Sequence, residues 1–248
     1  MSGVPLEESY YKHHWSHLFE CTPGEYERWS GYYRFHYKPL LPQDQNACIL
    51  DVGCGTGHFL YFLMKEGYRN IIGIDRSEDQ LAICRDRVGA DVANEDALDF
   101  LRSKSSRFDL ITAHHVVEHQ APEKVVDFVR AMWNATKVGG KMVVTVPNAS
   151  SPWACYTRYA DLTHTMIFAD DSLRQLFSCL EAGEVQLYSC GSSAPLDFLS
   201  TIRWFLSIVH EQLYKVSFAV DIGLGRRGWR GWRDLVVTPA IIAMVQKR

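Results

Sequence analysis

A glycine-rich run with an acidic start is the clearest chemical signal in the chain. It reads Asp51-Val52-Gly53-Cys54-Gly55-Thr56-Gly57 and lies between an apolar run and a helical pattern. Glycines at such a turn let the backbone approach a ligand closely, and the helix N-terminus offers free N–H donors. The dehydrogenase spacing GxGxxG is not met, because His58 follows Gly57 and the next glycine is Gly67. The run therefore predicts a ligand site and disfavours a nicotinamide cofactor.

A second apolar run begins at Asn70 and ends in Asp75, 24 residues after Asp51. A carboxylate at the end of a strand can accept hydrogen bonds from both hydroxyls of a ribose. The order of strand, glycine turn, helix and acid-ended strand therefore predicts that the bound molecule contains a nucleoside.

Three histidines follow a later apolar run, in His114-His115-Val116-Val117-Glu118-His119. On a helix, residues four apart share a face, so His115 and His119 could reach one metal ion, and His115-x-x-Glu118-His119 matches the HxxEH pattern of zinc peptidases. Peptidase chemistry would need neither the glycine run nor Asp75, which disfavours a metal hydrolase. The structural alternative is a helix start with Glu118 as an acid in the first turn.

A further histidine, His164, lies in Asp161-Leu162-Thr163-His164-Thr165-Met166-Ile167-Phe168. Histidine is the side chain best suited to take a proton near neutral pH. His164 is therefore either a second candidate base or an ordinary loop histidine.

Short apolar runs alternate with helical patterns along most of the chain, which predicts an α/β fold with a parallel sheet between helices. Strands are predicted at 47–52, 70–75, 91–93, 108–113, 141–146, 184–188 and 241–246, and helices at 58–65, 77–87, 122–136 and 170–180. Gly139-Gly140 is predicted to turn the chain into the fifth strand.

These motifs resemble those of the class I S-adenosylmethionine-dependent methyltransferases. The run 49–57 resembles their motif I, Asp75 matches the acid ending their second strand, and Glu95-Asp96-Ala97 resembles the motif after their third strand. Residues 108–111 and 138–148 match the fourth- and fifth-strand motifs, so the similarity covers 47–190 in order. The Glu-His pair and the Pro-Asn ending are similar to those of ubiquinone-pathway O-methyltransferases and of many sugar or antibiotic methyltransferases.

The resemblance implies a Rossmann-like, seven-stranded, mostly parallel sheet with helices on both faces and the last strand antiparallel. It implies S-adenosyl-L-methionine as cofactor, with Asp75 at the ribose, Asp96 at the adenine and the glycine turn at the methionine portion. The expected cofactor-binding residues are Asp51, Gly53, Cys54, Gly55, Gly57, Asp75, Arg76, Asp96, Ala97 and His114.

Methyl transfer from a sulfonium mainly requires donor and acceptor to be held in line and water to be excluded. For a hydroxyl acceptor a base must take the proton, and His119, His114 and His164 are the candidates. The expected reaction is O-methylation of a small molecule such as a sugar or glycoconjugate. Alternatives are a quinone-type phenol acceptor and a non-catalytic cofactor-binding protein. No metal is expected, with His115, Glu118 and His119 as the alternative metal set.

Composition fits this expectation. The 248 residues carry a formal net charge of -3, which argues against a nucleic-acid partner. Seven cysteines without a CxxC pair are typical of a reducing compartment, so the protein is expected to be cytoplasmic.

Two regions stand apart from the expected catalytic domain at 43–248. The aromatic segment 1–42 is predicted to be a helical lid over the cofactor. The segment 196–233 is predicted to be an insertion, and its run Arg226-Arg227-Gly228-Trp229-Arg230-Gly231-Trp232-Arg233 combines four arginines with two tryptophans. The alternatives for the insertion are a solvated basic loop on a helix that caps the core, a dimer contact, or peripheral attachment to the inner face of a membrane.

Overall fold

The strands of this protein alternate with helices from Ile49 onward, as the sequence pattern predicts. The computed structural model describes residues 21–180, 182–191, 198–218, 220 and 235–248. In chain order the elements are α1 (Pro23–Tyr37), β1 (Ile49–Val52), α2 (His58–Lys65), β2 (Ile71–Asp75), α3 (Glu78–Arg87), β3 (Val92–Asn94), α4 (Ala97–Arg102), β4 (Phe108–His114), α5 (Val125–Ala135), β5 (Thr136–Pro147), α6 (Ala154–Tyr159), α7 (Asp170–Ser178), β6 (Gln186–Cys190), α8 (Phe198–Phe218) and β7 (Ala240–Gln246).

Seven strands form one sheet in the order β3-β2-β1-β4-β5-β7-β6. The pairings of β1 with β2 and β4, of β2 with β3 and of β4 with β5 are parallel, whereas β7 runs antiparallel to both β5 and β6. The predicted α/β fold class, with a mostly parallel seven-stranded sheet and an antiparallel last strand, is therefore confirmed.

Two apolar cores lie on opposite faces of the sheet, because successive strand residues point to opposite sides. In β1, Leu50 packs into one core with α5 and α7, and Ile49 packs into the other with α1 and α2. Helices therefore cover both faces, and the ends of β1, β2 and β4 are left as the place where the chain can form a cleft.

Several bounds differ from the sequence prediction, and β6, predicted at 184–188, runs from Gln186 to Cys190. Gly139-Gly140 does not separate a helix from β5: the strand already begins at Thr136, and Gly139 adopts a positive φ of 80° within it. The helix expected at 122–136 runs from Val125 to Ala135. The helix α4 was not predicted, because its six residues are too few for a periodic signal.

Of the predicted insertion at 196–233, the structure describes the long helix α8 and Val220. Residues 196, 197, 219 and 221–233, which include the run of arginines and tryptophans, lie outside the described part. The outward side chains of α8 are largely apolar and exposed: Phe198, Leu199, Ile202, Phe205, Leu206, Val209, Leu213 and Val216. Its half-buried side chains include Ser207, Glu211 and Lys215. None of the described helices is long and apolar enough to cross a membrane.

Candidate functional site

A cleft of about 350 Å³ opens where β1, β2 and β4 end. Of the residues expected to bind cofactor or to act as base, the following line it: Gly53, Asp75, Arg76, Asp96, Ala97, His114 and His119. Asp51, Cys54, Gly55, Gly57 and His164 are not in its lining. The cleft thus brings together residues that are far apart in sequence.

The glycine turn has the backbone conformation that only glycine adopts without strain. Gly53, Gly55 and Gly57 have φ values of 70°, 54° and 86°. A Cβ added to Gly53 would lie 2.4 Å from Val116 Cγ2, and one added to Gly57 would lie 2.4 Å from Cys84 Sγ. The turn therefore needs glycine both for its dihedral angles and for close packing, and it leads directly into α2.

Asp75 ties the end of β2 to the glycine turn. Its carboxylate accepts hydrogen bonds from the backbone N–H of Gly55 at 3.0 Å and of Ser77 at 2.8 Å. Burial raises the pKa of Asp75, although these two hydrogen bonds oppose that shift. The side chain is thus held in place at the edge of the cleft before any ligand binds.

Asp96 is the N-cap of α4. Its Oδ1 accepts hydrogen bonds from the backbone N–H of Leu98 at 2.9 Å and of Asp99 at 3.2 Å. Ala97 is the first residue of the helix, so both expected residues line the cleft from this helix start.

Asp51 and His114 form a buried pair behind the turn. Asp51 accepts a hydrogen bond from the Thr112 hydroxyl at 2.8 Å, and its Oδ1 lies 4.0 Å from His114 Nε2. Burial raises the pKa of Asp51 to about 7, and burial lowers the pKa of His114 to about 3. Within the part of the chain that the structure describes, His114 Nε2 has no hydrogen-bond partner.

The described part of the expected lid, α1, packs against the glycine turn and α2. The Tyr26 hydroxyl donates a hydrogen bond to the Thr56 carbonyl at 2.8 Å, and the Tyr26 ring stacks on His58 with centroids 4.3 Å apart. Tyr37 is buried and contacts His114, with ring centroids 4.8 Å apart. This helix therefore supports the cleft from behind, while residues 1–20 lie outside the described part.

The histidine-rich stretch is not a helix that presents His115 and His119 on one face. His115 has a φ of 55°, and only Val117–His119 form a short 3-10 turn. His115 Nδ1 donates a hydrogen bond to Glu118 Oε1 at 3.0 Å. Desolvation disfavours the charged form of His115, but the hydrogen bond and the negative charge of Glu118 outweigh it and raise its pKa. The helical geometry assumed for the HxxEH pattern is thus wrong for this stretch.

His119 and His164 lie side by side, with ring centroids 4.7 Å apart. His119 Nδ1 lies 2.9 Å from Thr163 Oγ1, and the Thr163 hydroxyl donates to Asp161 Oδ1 at 2.7 Å. His164 Nδ1 donates to the Thr157 carbonyl at 2.7 Å. Burial lowers the pKa of His119. The loop after β5 is thus bound to the histidine-rich stretch beside the cleft.

Several lining residues were missed by the sequence analysis. Gln80, Leu98 and Gln120 lie outside the motifs, and the loop residues Leu162, Thr163 and Thr165 also line the cleft. Glu95, which begins the motif Glu95-Asp96-Ala97, lines it too but was not among the expected site residues. Thr163 and Thr165 lay next to the singled-out His164, but nothing in the sequence indicated that their loop folds back onto Glu118. The Thr165 backbone N–H and hydroxyl both donate to the Glu118 carbonyl.

A family model described as a methyltransferase domain matches residues 26–183, so the chain belongs to this family. The fold and the site define it as a class I S-adenosylmethionine-dependent methyltransferase, and S-adenosylmethionine is the cofactor of this class. The matched range includes the glycine turn, Asp75, Asp96 and the histidine-rich stretch.

Curated relatives match less than half of the chain. A malonyl-[acyl-carrier protein] O-methyltransferase from Pectobacterium atrosepticum is 31% identical over 116 residues, which are 46% of this chain and 46% of that protein. A tRNA U34 carboxymethyltransferase from Shewanella halifaxensis is 28% identical over 116 residues, 44% of this chain and 33% of that protein. The chain thus spans less than half the length of these relatives, and their named acceptors differ from one another.

Among solved structures, a SAM-dependent methyltransferase from Archaeoglobus fulgidus has a TM-score of 0.65 at 23% identity. The match covers 90% of this chain and 94% of that one. This likeness supports the fold over nearly the whole chain and carries no information about the acceptor.

Proposed function

We propose that this protein transfers a methyl group from S-adenosylmethionine to a hydroxyl of a small molecule. The observation that carries the proposal is that Gly53 of the glycine turn, Asp75 and Asp96 line the same cleft as His119. When bound, the cofactor supplies an electrophilic methyl group on a sulfonium. The chain's task is then to bind the two reactants, to align them and to exclude water.

The cleft residues fit this cofactor. Gly53 brings the backbone of the turn to the cleft wall, and the fixed carboxylates of Asp75 and Asp96 can accept hydrogen bonds from ribose hydroxyls and from the adenine amino group. Gly53 lies at the cleft wall and is expected to contact the methionine end, and Arg76, Ala97 and His114 line the remaining wall. Asp51, Cys54, Gly55 and Gly57 do not line the cleft and are expected to act by shaping the turn.

His119 is the best placed of the three candidate bases. The proton of the Thr163 hydroxyl goes to Asp161, so Thr163 Oγ1 accepts from His119 Nδ1 and the lone pair of His119 is on Nε2. His119 lines the cleft, whereas His164 does not. His114 also lines the cleft, but its imidazole is enclosed by aromatic rings and its low pKa makes it a weak base.

We favour a sugar or glycoconjugate as acceptor over a quinone-type phenol, on the resemblance of the motifs alone. The net charge of -3 argues against tRNA as acceptor, although one relative is named for tRNA. A screen for S-adenosylhomocysteine release with nucleotide sugars, sugar lipids, phenols and bulk tRNA tests these preferences. Turnover with a sugar-bearing acceptor supports the proposal; turnover with tRNA alone contradicts it. Tight cofactor binding without turnover on any class of acceptor supports the non-catalytic alternative.

We further propose that the insertion rests on an anionic membrane surface of the cytoplasmic compartment. The exposed apolar face of α8 is the first argument, since such a face lies in the interfacial region of a bilayer at low cost. The second is charge: residues 196–233 contain six Lys or Arg and three Asp or Glu, in a chain of net charge -3. A cationic, apolar segment in an otherwise acidic protein complements anionic lipid headgroups.

Co-sedimentation with vesicles tests this attachment. Anionic phosphatidylglycerol vesicles are expected to retain the wild type, and a Phe205→Ser, Leu206→Ser double variant is expected to remain in solution. Phe35→Ser serves as control, because Phe35 is also an exposed aromatic residue but lies on α1. The proposal would be overturned if the wild type stayed in solution with anionic vesicles. If the wild type were instead a dimer that the Phe205→Ser, Leu206→Ser substitutions dissociate, and bound no vesicles, the apolar face of α8 would be a dimer contact.

A further inference from the structure

The exposed apolar surface of the protein is concentrated beside the acceptor side of the cleft. Of the 17 large hydrophobic side chains that are exposed among the described residues, 13 lie at 153–162 or at 198–220. From this surface we infer that the methyl acceptor is a lipid of the membrane, whose polar headgroup enters the cleft while its apolar chains stay in the bilayer. The lipid is the acceptor of the proposed methyl transfer, on which this inference rests.

The short helix α6 connects α8 to the rim of the cleft. On one side, the ring of Trp153, the N-cap residue of α6, lies beside the His210 ring of α8, with centroids 6.4 Å apart. On the other side, Arg158 of α6 donates a hydrogen bond to the Thr165 carbonyl at 3.2 Å. Thr165 lines the cleft, and so does Leu162. The exposed apolar surface therefore continues from α8 across α6 to the cleft.

The side chains along this path are of the kind found where a protein meets a bilayer. Tyr156 and Tyr159 are each 73% exposed, and Leu162 at the cleft is 78% exposed. The two tyrosines are three residues apart on α6 and share a face. A contiguous exposed apolar patch marks a contact surface, and tryptophan and tyrosine are enriched at the headgroup level of membranes. Trp153 and the two tyrosines are thus suited to that level.

The charges around this surface favour lipid over a second copy of the chain. Arg203 and His210 are seven residues apart on α8, so they lie on the same side of the helix, and both are exposed. Since Trp153 contacts His210, this polar edge adjoins α6. At a bilayer an arginine extends its charge to the headgroups, whereas a contact between two copies would remove the charge from water. The excess of Lys and Arg over Asp and Glu in 196–233 likewise complements anionic headgroups.

The size of the cleft suits a headgroup. Its volume of about 350 Å³ is near the lower end of the range for ligand pockets, roughly 300–1,000 Å³. The cofactor takes part of this volume, so the space left suits a polar headgroup and not a long apolar chain. Leu162 and Thr163 line the cleft next to His119. The headgroup hydroxyl thereby reaches His119, while the rest of the lipid lies along α6 outside the cleft.

A fluorescent label at the rim tests the geometry without any acceptor. The exposed cysteines Cys155 and Cys179 are first replaced by serine, and Tyr159→Cys and Leu162→Cys are then labelled singly with a nitrobenzoxadiazole dye. The matched control is Val138→Cys, because Val138 is also 73% exposed but lies near the start of β5, at the opposite end of the sheet from the cleft.

With phosphatidylglycerol vesicles, the dye emission at 159 and 162 is expected to shift to shorter wavelength and to be quenched by spin-labelled lipid. The emission at 138 is expected to stay unchanged. No shift at 159 and 162, or an equal shift at all three positions, would overturn the inference. A shift that appears without vesicles when the protein is concentrated would also overturn it, because it would assign the surface to a contact between two copies.

The class of acceptor is tested by S-adenosylhomocysteine release. A lipid extract of the source cells, dispersed in phosphatidylglycerol vesicles, is compared with their water-soluble small molecules. Turnover is expected with the lipid extract. Turnover with the water-soluble fraction alone would overturn the inference and leave the proposed methyl transfer intact. Turnover with neither fraction, together with a label shift at the rim, would contradict the methyl transfer itself.

A Tyr156→Ser, Tyr159→Ser double variant tests the contribution of α6. Its KM for the lipid acceptor is expected to rise about tenfold, because large exposed aromatic residues contribute strongly to contact surfaces. Its affinity for S-adenosylhomocysteine, which shows that the variant is folded, is expected to match that of the wild type. Val138→Ser is the control and is expected to leave the KM unchanged. Equal KM values of the double variant and the wild type would overturn the role of α6.

Discussion

At the scale of single residues, Asp51 and His114 show how burial shifts two neighbouring side chains in opposite directions. Asp51 binds its proton more tightly in the folded protein, with a pKa of about 7 against an ordinary value of 3.8. The free energy of unfolding therefore falls as the pH rises from about 4 to about 7. His114, with a pKa of about 3, acts in the opposite sense, because stability is lost as the pH falls below its ordinary value of 6.5.

Asp51→Asn isolates the first effect, since the amide oxygen can still accept the Thr112 hydrogen bond. Relative to the wild type, the variant is expected to gain stability between pH 5 and pH 7.5, by an amount on the order of 1–3 kcal/mol. Urea denaturation at the two pH values measures the difference. Asp86→Asn, at an exposed position, is the control. Parallel pH profiles of the Asp51 variant and the wild type would refute this account of Asp51.

At the scale of elements, α1 contributes to the site by holding the glycine turn from behind. Tyr26→Phe removes the hydrogen bond to the Thr56 carbonyl but keeps the stacking on His58. A loss of about 1 kcal/mol in the free energy of unfolding is expected. A weaker affinity for S-adenosylhomocysteine is also expected, because Thr56 is part of the turn.

Tyr61→Phe is the matched control for this helix contact. Its hydroxyl also bonds across the α1–α2 interface, to Glu27, but at an exposed position. Its loss is expected to change stability by less than about 0.5 kcal/mol. Chemical denaturation and calorimetric titration of both variants measure the two effects. An equal loss in both variants would show that burial of the Tyr26 bond is unimportant.

At the scale of the whole molecule, ligand binding and folding are linked. A ligand at one hundred times its Kd adds about 2.7 kcal/mol to the free energy of unfolding. In a domain of this size that corresponds to a rise in Tm of about 5–10 °C. Differential scanning fluorimetry with S-adenosylhomocysteine and, as control, adenosine triphosphate measures the effect. An equal rise with both compounds would mean that the cleft recognises only the nucleoside.

The fold was predictable because its strands are short, apolar and ordered along the chain. The starts of α2 and α3 follow directly from Gly57 and Ser77, which are the N-cap residues of the two helices. The start of β5 was not predictable. The pair Gly139-Gly140 predicts a turn, but in the structure Gly139 has a positive φ within the strand, whose pairing register with β4 shifts near this point.

Local motifs singled out ten residues as cofactor-binding, and six of them, Gly53, Asp75, Arg76, Asp96, Ala97 and His114, line the cleft. The acceptor side was predicted only in part. His119 and His164 were singled out, but their contact depends on the fold of the loop at 161–165 onto Glu118, which joins residues more than 40 positions apart. The spacing of residues within a local sequence motif cannot predict such a contact.

We expect S-adenosylmethionine to bind with its ribose at Asp75 and its methionine portion at the glycine turn. Isothermal titration calorimetry of S-adenosylhomocysteine with the wild type, Asp75→Asn and the control Asp86→Asn tests this expectation. One equivalent is expected to bind to the wild type and to the control, and binding to Asp75→Asn is expected to be at least tenfold weaker, by about 1.4 kcal/mol. Equal affinity of all three proteins, or no binding to the wild type, would contradict it.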